Sequence, residues 1–105
     1  MDLARLKSIS QNSYDIALTK SNALKKAQSD MVTVYQNHIF LADAETICLA
    51  KTLSESHSSF FVLDTNSNPV EITDPEEFIE LLIQKNQSAI NTYHQLYQKI
   101  KSKEL

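Results

Sequence analysis

Residues 74–100 read DPEEFIELLIQKNQSAINTYHQLYQKI and predict a long, well-capped helix. Asp74 can cap this helix, Pro75 suits its first position, and Glu77 completes a capping box. After the cap, apolar residues recur in steps of three and four over three heptads, so the helix is expected to run to about residue 102. We call this series the heptad line; it consists of Ile79, Leu82, Asn86, Ala89, Tyr93, Leu96 and Ile100.

The heptad line has two interpretations. It can be a seam for oligomerisation or for a partner protein, in which Asn86 sets the register at some cost in stability. Alternatively, it packs within the chain against the first helix. We favour the seam, because a second apolar line widens the stripe beyond what the first helix can cover. This second line runs through Ile83, Ile90 and Tyr97.

Residues 2–29 predict that first helix, with Asp2 as its N-cap. Its apolar stripe is thin, because Ser10, Ser13 and Lys20 interrupt it. Burial of such a stripe contributes little, so the helix is expected to need a partner helix. The apolar positions are Leu3, Leu6, Ile9, Ile16, Ala17, Leu24 and Ala27.

Residues 31–42 change to a period of two and predict a β-hairpin with Gln36 and Asn37 as its turn. Asparagine tolerates a positive φ, which suits a turn in a chain that contains no glycine. The expected pairs are Val34–Ile39 and Val32–Leu41 on one face, with Tyr35–His38 and Thr33–Phe40 on the other.

A short central helix is predicted over residues 44–55, with Asp43 as its N-cap. Its buried face is expected to contain Ile47, Cys48, Leu49, Ala50 and Leu53.

A second hairpin is predicted from residues 60–64 and 70–73 around a turn at 65–68. Pairing Leu63 with Val70 and Phe61 with Ile72 places four apolar side chains on one face. Either helices cover both faces of the hairpins, or one aromatic face is exposed as a binding patch. The aromatic face would contain Tyr35, Phe40 and Phe60, together with Val62.

These elements define an α+β fold in which long N- and C-terminal helices flank two β-hairpins and a short central helix. The chain of 105 residues has room for one core, so residues 1–105 are expected to form a single domain. Its parts are the N-terminal helix (1–30), the hairpin-helix-hairpin middle (31–73) and the C-terminal heptad helix (74–105).

The absence of glycine excludes phosphate-binding loops, nucleophile elbows and standard calcium-binding loops. Asp64 begins a stretch that imitates such a calcium loop, but Pro69 stands where the loop needs glycine. A single cysteine, Cys48, excludes an intramolecular disulfide and a cysteine-rich zinc site, and no two histidines have the spacing of metal ligands. We therefore predict no catalytic, cofactor-binding or metal-binding residues, and we do not expect an enzyme.

The formal net charge of −3 conceals an uneven distribution. Residues 31–83 contain nine acidic residues and one basic residue, whereas the basic residues lie toward the two ends. We expect no nucleic acid partner, because no basic stripe follows the chain. No segment is apolar enough for a signal sequence or a membrane span, so the protein is expected to be cytoplasmic and away from membranes.

Two stretches resemble small conserved proteins encoded by large contractile-tailed phages of marine cyanobacteria. They are NHIFLADAETICLAKTL (37–53) and FFVLDTNSNPVEITDPEEFIELLIQKNQSAINTYHQLYQK (60–99). The resemblance implies a virion component, an assembly factor or a small host-interaction protein, located in the host cytoplasm or in the virion. The architecture is also similar to prefoldin subunits, in which long terminal helices flank β-hairpins, although the central helix departs from that plan.

Two functional hypotheses follow. In the first, the chain is a non-enzymatic structural, assembly or interaction protein that forms homo-oligomers through its C-terminal heptad helix. In the second, it is a monomeric adaptor or inhibitor that binds a host protein through its acidic middle and its aromatic hairpin face. The first predicts a stable multiple of the 11.9 kDa chain, and the second predicts a monomer.

Overall fold

The computed structural model describes the backbone of residues 3–102 and the side chains of residues 11–102. The fold is the predicted α+β arrangement of three helices and two antiparallel hairpins. The predicted cap at Asp2 and the side chains of Leu3, Leu6 and Ile9 lie outside these described residues. The elements are α1 (Leu3–Asp30), β1 (Val32–Tyr35), β2 (His38–Leu41), α2 (Ala44–Ser54), β3 (Phe60–Leu63), β4 (Pro69–Ile72) and α3 (Pro75–Ser102).

The β1–β2 hairpin has the predicted turn and the predicted register. Gln36 and Asn37 both have positive φ, 51° and 65°, as a two-residue turn between twisted strands requires. Val34 pairs with Ile39, and Val32 pairs with Leu41.

The register predicted for the β3–β4 hairpin is wrong by one residue. Phe60 pairs with Ile72 and Val62 with Val70, so the loop spans five residues rather than four. The Asp64 side chain sets this loop, because its Oδ1 accepts the backbone N–H groups of both Asn66 and Asn68. A shift by one residue exchanges the two faces of a strand, so Phe61 and Leu63 point outward and their neighbours point inward.

The aromatic face of the hairpins is the buried one. The rings of Tyr35 and Phe40 lie 5.0 and 5.1 Å from the ring of Phe78 on α3, in edge-to-face geometry. Phe60 and Val62 are buried in the same core. Neither of the two expected arrangements occurs: the aromatic side chains face the core, and the aliphatic face of β1–β2 is exposed rather than covered by a helix.

The central helix α2 packs through one narrow stripe. Asp43 caps it as predicted, accepting the Thr46 N–H at 2.9 Å, and Ala50 is completely buried. Cys48 and Leu49 were expected in the buried face, but both are exposed. Only one side of α2 contacts the rest of the protein, and these two residues lie about 160° and 100° around the helix from Ala50.

The helices α1 and α3 form an elongated antiparallel pair, so that the molecule is 66 Å long and 23 by 21 Å across. Met31 lies beside Asn86, whereas Lys20 lies over the Tyr97 ring at 5.5 Å, so the two helices run in opposite directions. We call residues 31–83 the head. We call the paired segments 11–30 and 84–102 the arm.

Candidate interaction surfaces

The heptad line lies inside the single chain. Its members Ile79, Leu82, Asn86, Ala89 and Ile100 are buried, and its members Tyr93 and Leu96 are half-buried. They pack against the head and against α1, where the small residues Ala23 and Ala27 allow the two helices to approach closely. None of the seven residues predicted for an interface between chains is exposed in the single chain.

Asn86, the polar member of the heptad line, joins the arm to the head. Asn86 Nδ2 donates a hydrogen bond of 2.9 Å to the carbonyl oxygen of Ala42, just after β2. The backbone N–H of Ala42 in turn donates to the carbonyl oxygen of Met31, at 2.8 Å. Within one chain, Asn86 therefore fixes the position of α3 relative to the first hairpin.

The second apolar line of α3 remains partly uncovered. Ile83 and Ile90 are exposed, while Tyr97 is half-buried beneath Lys20. Leu24 of α1 is also exposed. The thin stripe of α1 therefore covers one apolar line of α3 and leaves much of the other in contact with solvent.

Both hairpins expose large apolar side chains on the face turned away from the core. We call this surface the outer face. Phe61, Leu63 and Val34 are the most exposed, at 65, 63 and 60%. The complete set is Val32, Val34, Ile39, Leu41, Phe61 and Leu63. Sequence reasoning missed Phe61 and Leu63, because all four residues of β3 are apolar and the alternation that would assign their faces is absent.

Two contacts join strand β2 of the first hairpin to the loop of the second hairpin. The Thr65 N–H donates to the carbonyl oxygen of Ile39 at 2.9 Å. His38 Nδ1 lies 2.8 Å from Asp64 Oδ2, and the Asp64 side chain is almost completely buried. The outer face therefore combines the exposed apolar side chains of two hairpins that are held next to each other.

The carboxylate of Asp64 is held in its charged form. The backbone N–H of Asn68 is the main cause that lowers the pKa of Asp64 to about 2, and hydrogen bonds with His38 and Asn66 add to this effect. Burial opposes the shift but does not outweigh it. The Asp64 carboxylate at the junction between the hairpins therefore stays charged down to strongly acidic pH.

A groove on the arm is flanked by positive charges, in contrast to the acidic head. Ala23, Leu96 and Ile100 line it, while Lys26 and Lys99 stand at its rim, and its volume is about 360 Å³. This surface is apolar with positive charges beside it. The sequence did not predict this groove, because its residues come from two helices. The pattern of either helix alone does not show how the two are aligned.

A cleft between α2 and the start of α3 contains His57 together with Asp74, Glu76 and Glu80. Two of these groups already form hydrogen bonds with neighbouring residues. Asp74 accepts the Glu77 N–H, and His57 Nδ1 is hydrogen-bonded to Ser56 Oγ at 2.9 Å. Within residues 3–102, no group of three or more His, Cys, Asp or Glu side chains is placed to hold a metal ion.

No known protein family, curated protein or solved structure matches this chain. Among the helices of the described segment, none has the length and apolar character needed to cross a bilayer.

Proposed function

We propose that this chain is a non-enzymatic assembly protein that associates with itself through the outer face of its hairpins. The observation that carries the proposal is the exposure of six large apolar side chains on the outer sides of two hairpins that contact each other. Contiguous apolar patches on soluble proteins commonly mark sites of protein contact. The proposal moves the contact from the heptad line, which the chain itself covers, to a surface that it leaves open.

The size of the outer face gives the expected strength of association. The exposed parts of its six side chains equal about three whole side chains, whose burial contributes roughly 5–9 kcal/mol at 1.5–3 kcal/mol each. Association costs about 4–15 kcal/mol in lost freedom of motion. Burial of one outer face is therefore of the same order as the cost of association, so a stable complex needs further contacts from the partner.

Measuring the mass of two matched variants tests this proposal. Val34→Lys places a charge on the outer face, whereas Leu49→Lys places one on α2, at a residue of similar exposure. Light scattering on a sizing column is expected to show an oligomer for the native chain and for Leu49→Lys, and a monomer for Val34→Lys. Circular dichroism checks that both variants are folded. Oligomers of equal stability in all three proteins would contradict the proposal.

The second candidate is a monomeric adaptor or inhibitor that binds a basic host protein. Because the aromatic face expected for this role is buried in the core, the outer face takes its place. The acidic composition of the head supports this candidate, because residues 31–83 contain nine acidic residues and only one basic residue. A native chain that remains monomeric at all concentrations would favour this adaptor. The phage setting stays a prediction, based on the sequence resemblance alone.

A further inference from the structure

We propose that the outer face of one copy docks on the arm groove of a second copy, and that the contact is reciprocal, giving a dimer with two identical head-to-arm interfaces. This inference rests on the proposed self-association and names the surface that receives the outer face. The observations behind it are the position of the groove, the shape of the molecule and the distribution of charge.

The groove and the hairpins lie on the same half of α3. Lys99 at the rim of the groove is 21 residues, or three heptads, from Phe78. Residues 21 positions apart on a straight α-helix lie about 60° apart around its axis, so Phe78 and Lys99 lie on the same half of α3. Phe78 contacts the inner face of the first hairpin through Tyr35 and Phe40. The outer face and the groove therefore lie on the same half of α3, about 30 Å apart along the helix.

The shape of the molecule suits a reciprocal contact. The arm is a pair of helices, whereas the head adds two hairpins and α2 to the continuing α3. The hairpins therefore stand above the level of the arm on the same half of α3 as the groove. When two copies lie side by side in antiparallel orientation, the head of each copy lies over the arm of the other. A surface that meets a different surface twice across a two-fold axis gives a closed dimer rather than a filament.

The charge distribution favours this arrangement over a contact between two outer faces. The head has nine acidic residues and one basic residue, whereas segments 11–30 and 84–102 have six basic residues and two acidic ones. Pairing two heads would place like charges together, while pairing a head with an arm places opposite charges together. The reciprocal head-to-arm dimer makes the favourable pairing twice.

Two oppositely charged residues can be assigned to the contact between the head of one copy and the arm of the other. Glu71 is exposed and lies directly opposite Phe61 on β4, so its side chain belongs to the outer face. At the groove, Lys26 already lies 2.9 Å from Asp30, which leaves Lys99 as the main positive group for an incoming carboxylate. We therefore assign Glu71 of one copy to Lys99 of the other, with Phe61 placed over the apolar floor of the groove.

A charge exchange between Glu71 and Lys99 tests the assignment. Glu71→Lys alone and Lys99→Glu alone are each expected to weaken dimerisation by about tenfold or more, because each places like charges together at both interfaces. Equimolar mixing of these two variants is expected to restore dimers with an affinity near that of the native chain, since every interface of the mixed dimer again joins opposite charges. Lys25→Glu makes the same change in charge next to Lys26, on the side of α1 away from the groove, and is expected to leave dimerisation unchanged.

The outcomes separate this inference from the proposed function. A native chain that is monomeric throughout overturns both. Assembly that is lost with Val34→Lys but unaffected by either charge variant supports the outer face as a contact and overturns its docking on the arm. Two charge variants that each fail to dimerise, and that fail again when mixed, also overturn the assignment of Glu71 to Lys99. Restored dimers on mixing support it, because no effect on folding produces recovery between two defective chains.

Discussion

Replacing Leu82 by alanine tests whether the heptad line forms the core of the single chain. The Leu82 side chain is completely buried, with 0% of its surface exposed, in the cluster that also contains Phe40 and Phe78. Truncation of a buried leucine costs 2–5 kcal/mol, because apolar surface is lost from the core and a cavity remains. For a site enclosed on all sides we expect about 3 kcal/mol, a large part of the 5–15 kcal/mol that stabilises a typical domain.

The matched control is the next residue along α3. Ile83 belongs to the second apolar line and is 42% exposed, so Ile83→Ala is expected to cost less than about 1 kcal/mol. Urea unfolding followed by circular dichroism measures both changes. Both substitutions are made in the Val34→Lys chain, so that unfolding is not coupled to association. If Ile83→Ala costs as much as Leu82→Ala, the orientation of α3 described above is wrong.

Three further predictions concern polar groups. Asn86→Ala is expected to cost about 1–3 kcal/mol in urea unfolding, because the buried carbonyl of Ala42 loses its donor, while the exposed Asn91→Ala changes stability little. The pKa of Asp64 is lower in the folded chain, about 2, than its ordinary value of 3.8, so its contribution is complete above pH 4 and is lost as the pH falls toward 2; Asp64→Asn should flatten this part of the stability profile. Cys48 should react with a thiol reagent in the native chain as fast as in urea, and slow native labelling would contradict its exposure.

Local signals in the sequence were sufficient to predict most of the secondary structure. The start of α3 follows the predicted cap, with Asp74 accepting the Glu77 N–H at 3.2 Å. The register of the first hairpin follows from its two-residue turn, because only a few residues adopt two successive positive φ angles. In both places, the side chain that sets the conformation lies within a few residues of the backbone that it controls.

Features that depend on distant contacts were predicted less well. Phe60–Leu63 is apolar throughout, so the sequence contains no alternation that would assign its two faces, and the face that is buried depends on packing against the distant residues of the core. The outward position of Cys48 depends on where α2 meets the body of the protein. The heptad line shows which side of α3 is apolar, but whether α1 or another chain covers it depends on how close the alanines of α1 allow the helices to come.

The mass of the native chain in solution, measured as a function of concentration, tests self-association most directly. We predict a species of twice 11.9 kDa at micromolar concentrations that dissociates on dilution and on addition of salt, because its interfaces join apolar surface with opposite charges. A mass of 11.9 kDa at every concentration up to about 1 mM would contradict self-association through the outer face, because a dissociation constant above about 1 mM corresponds to very weak binding.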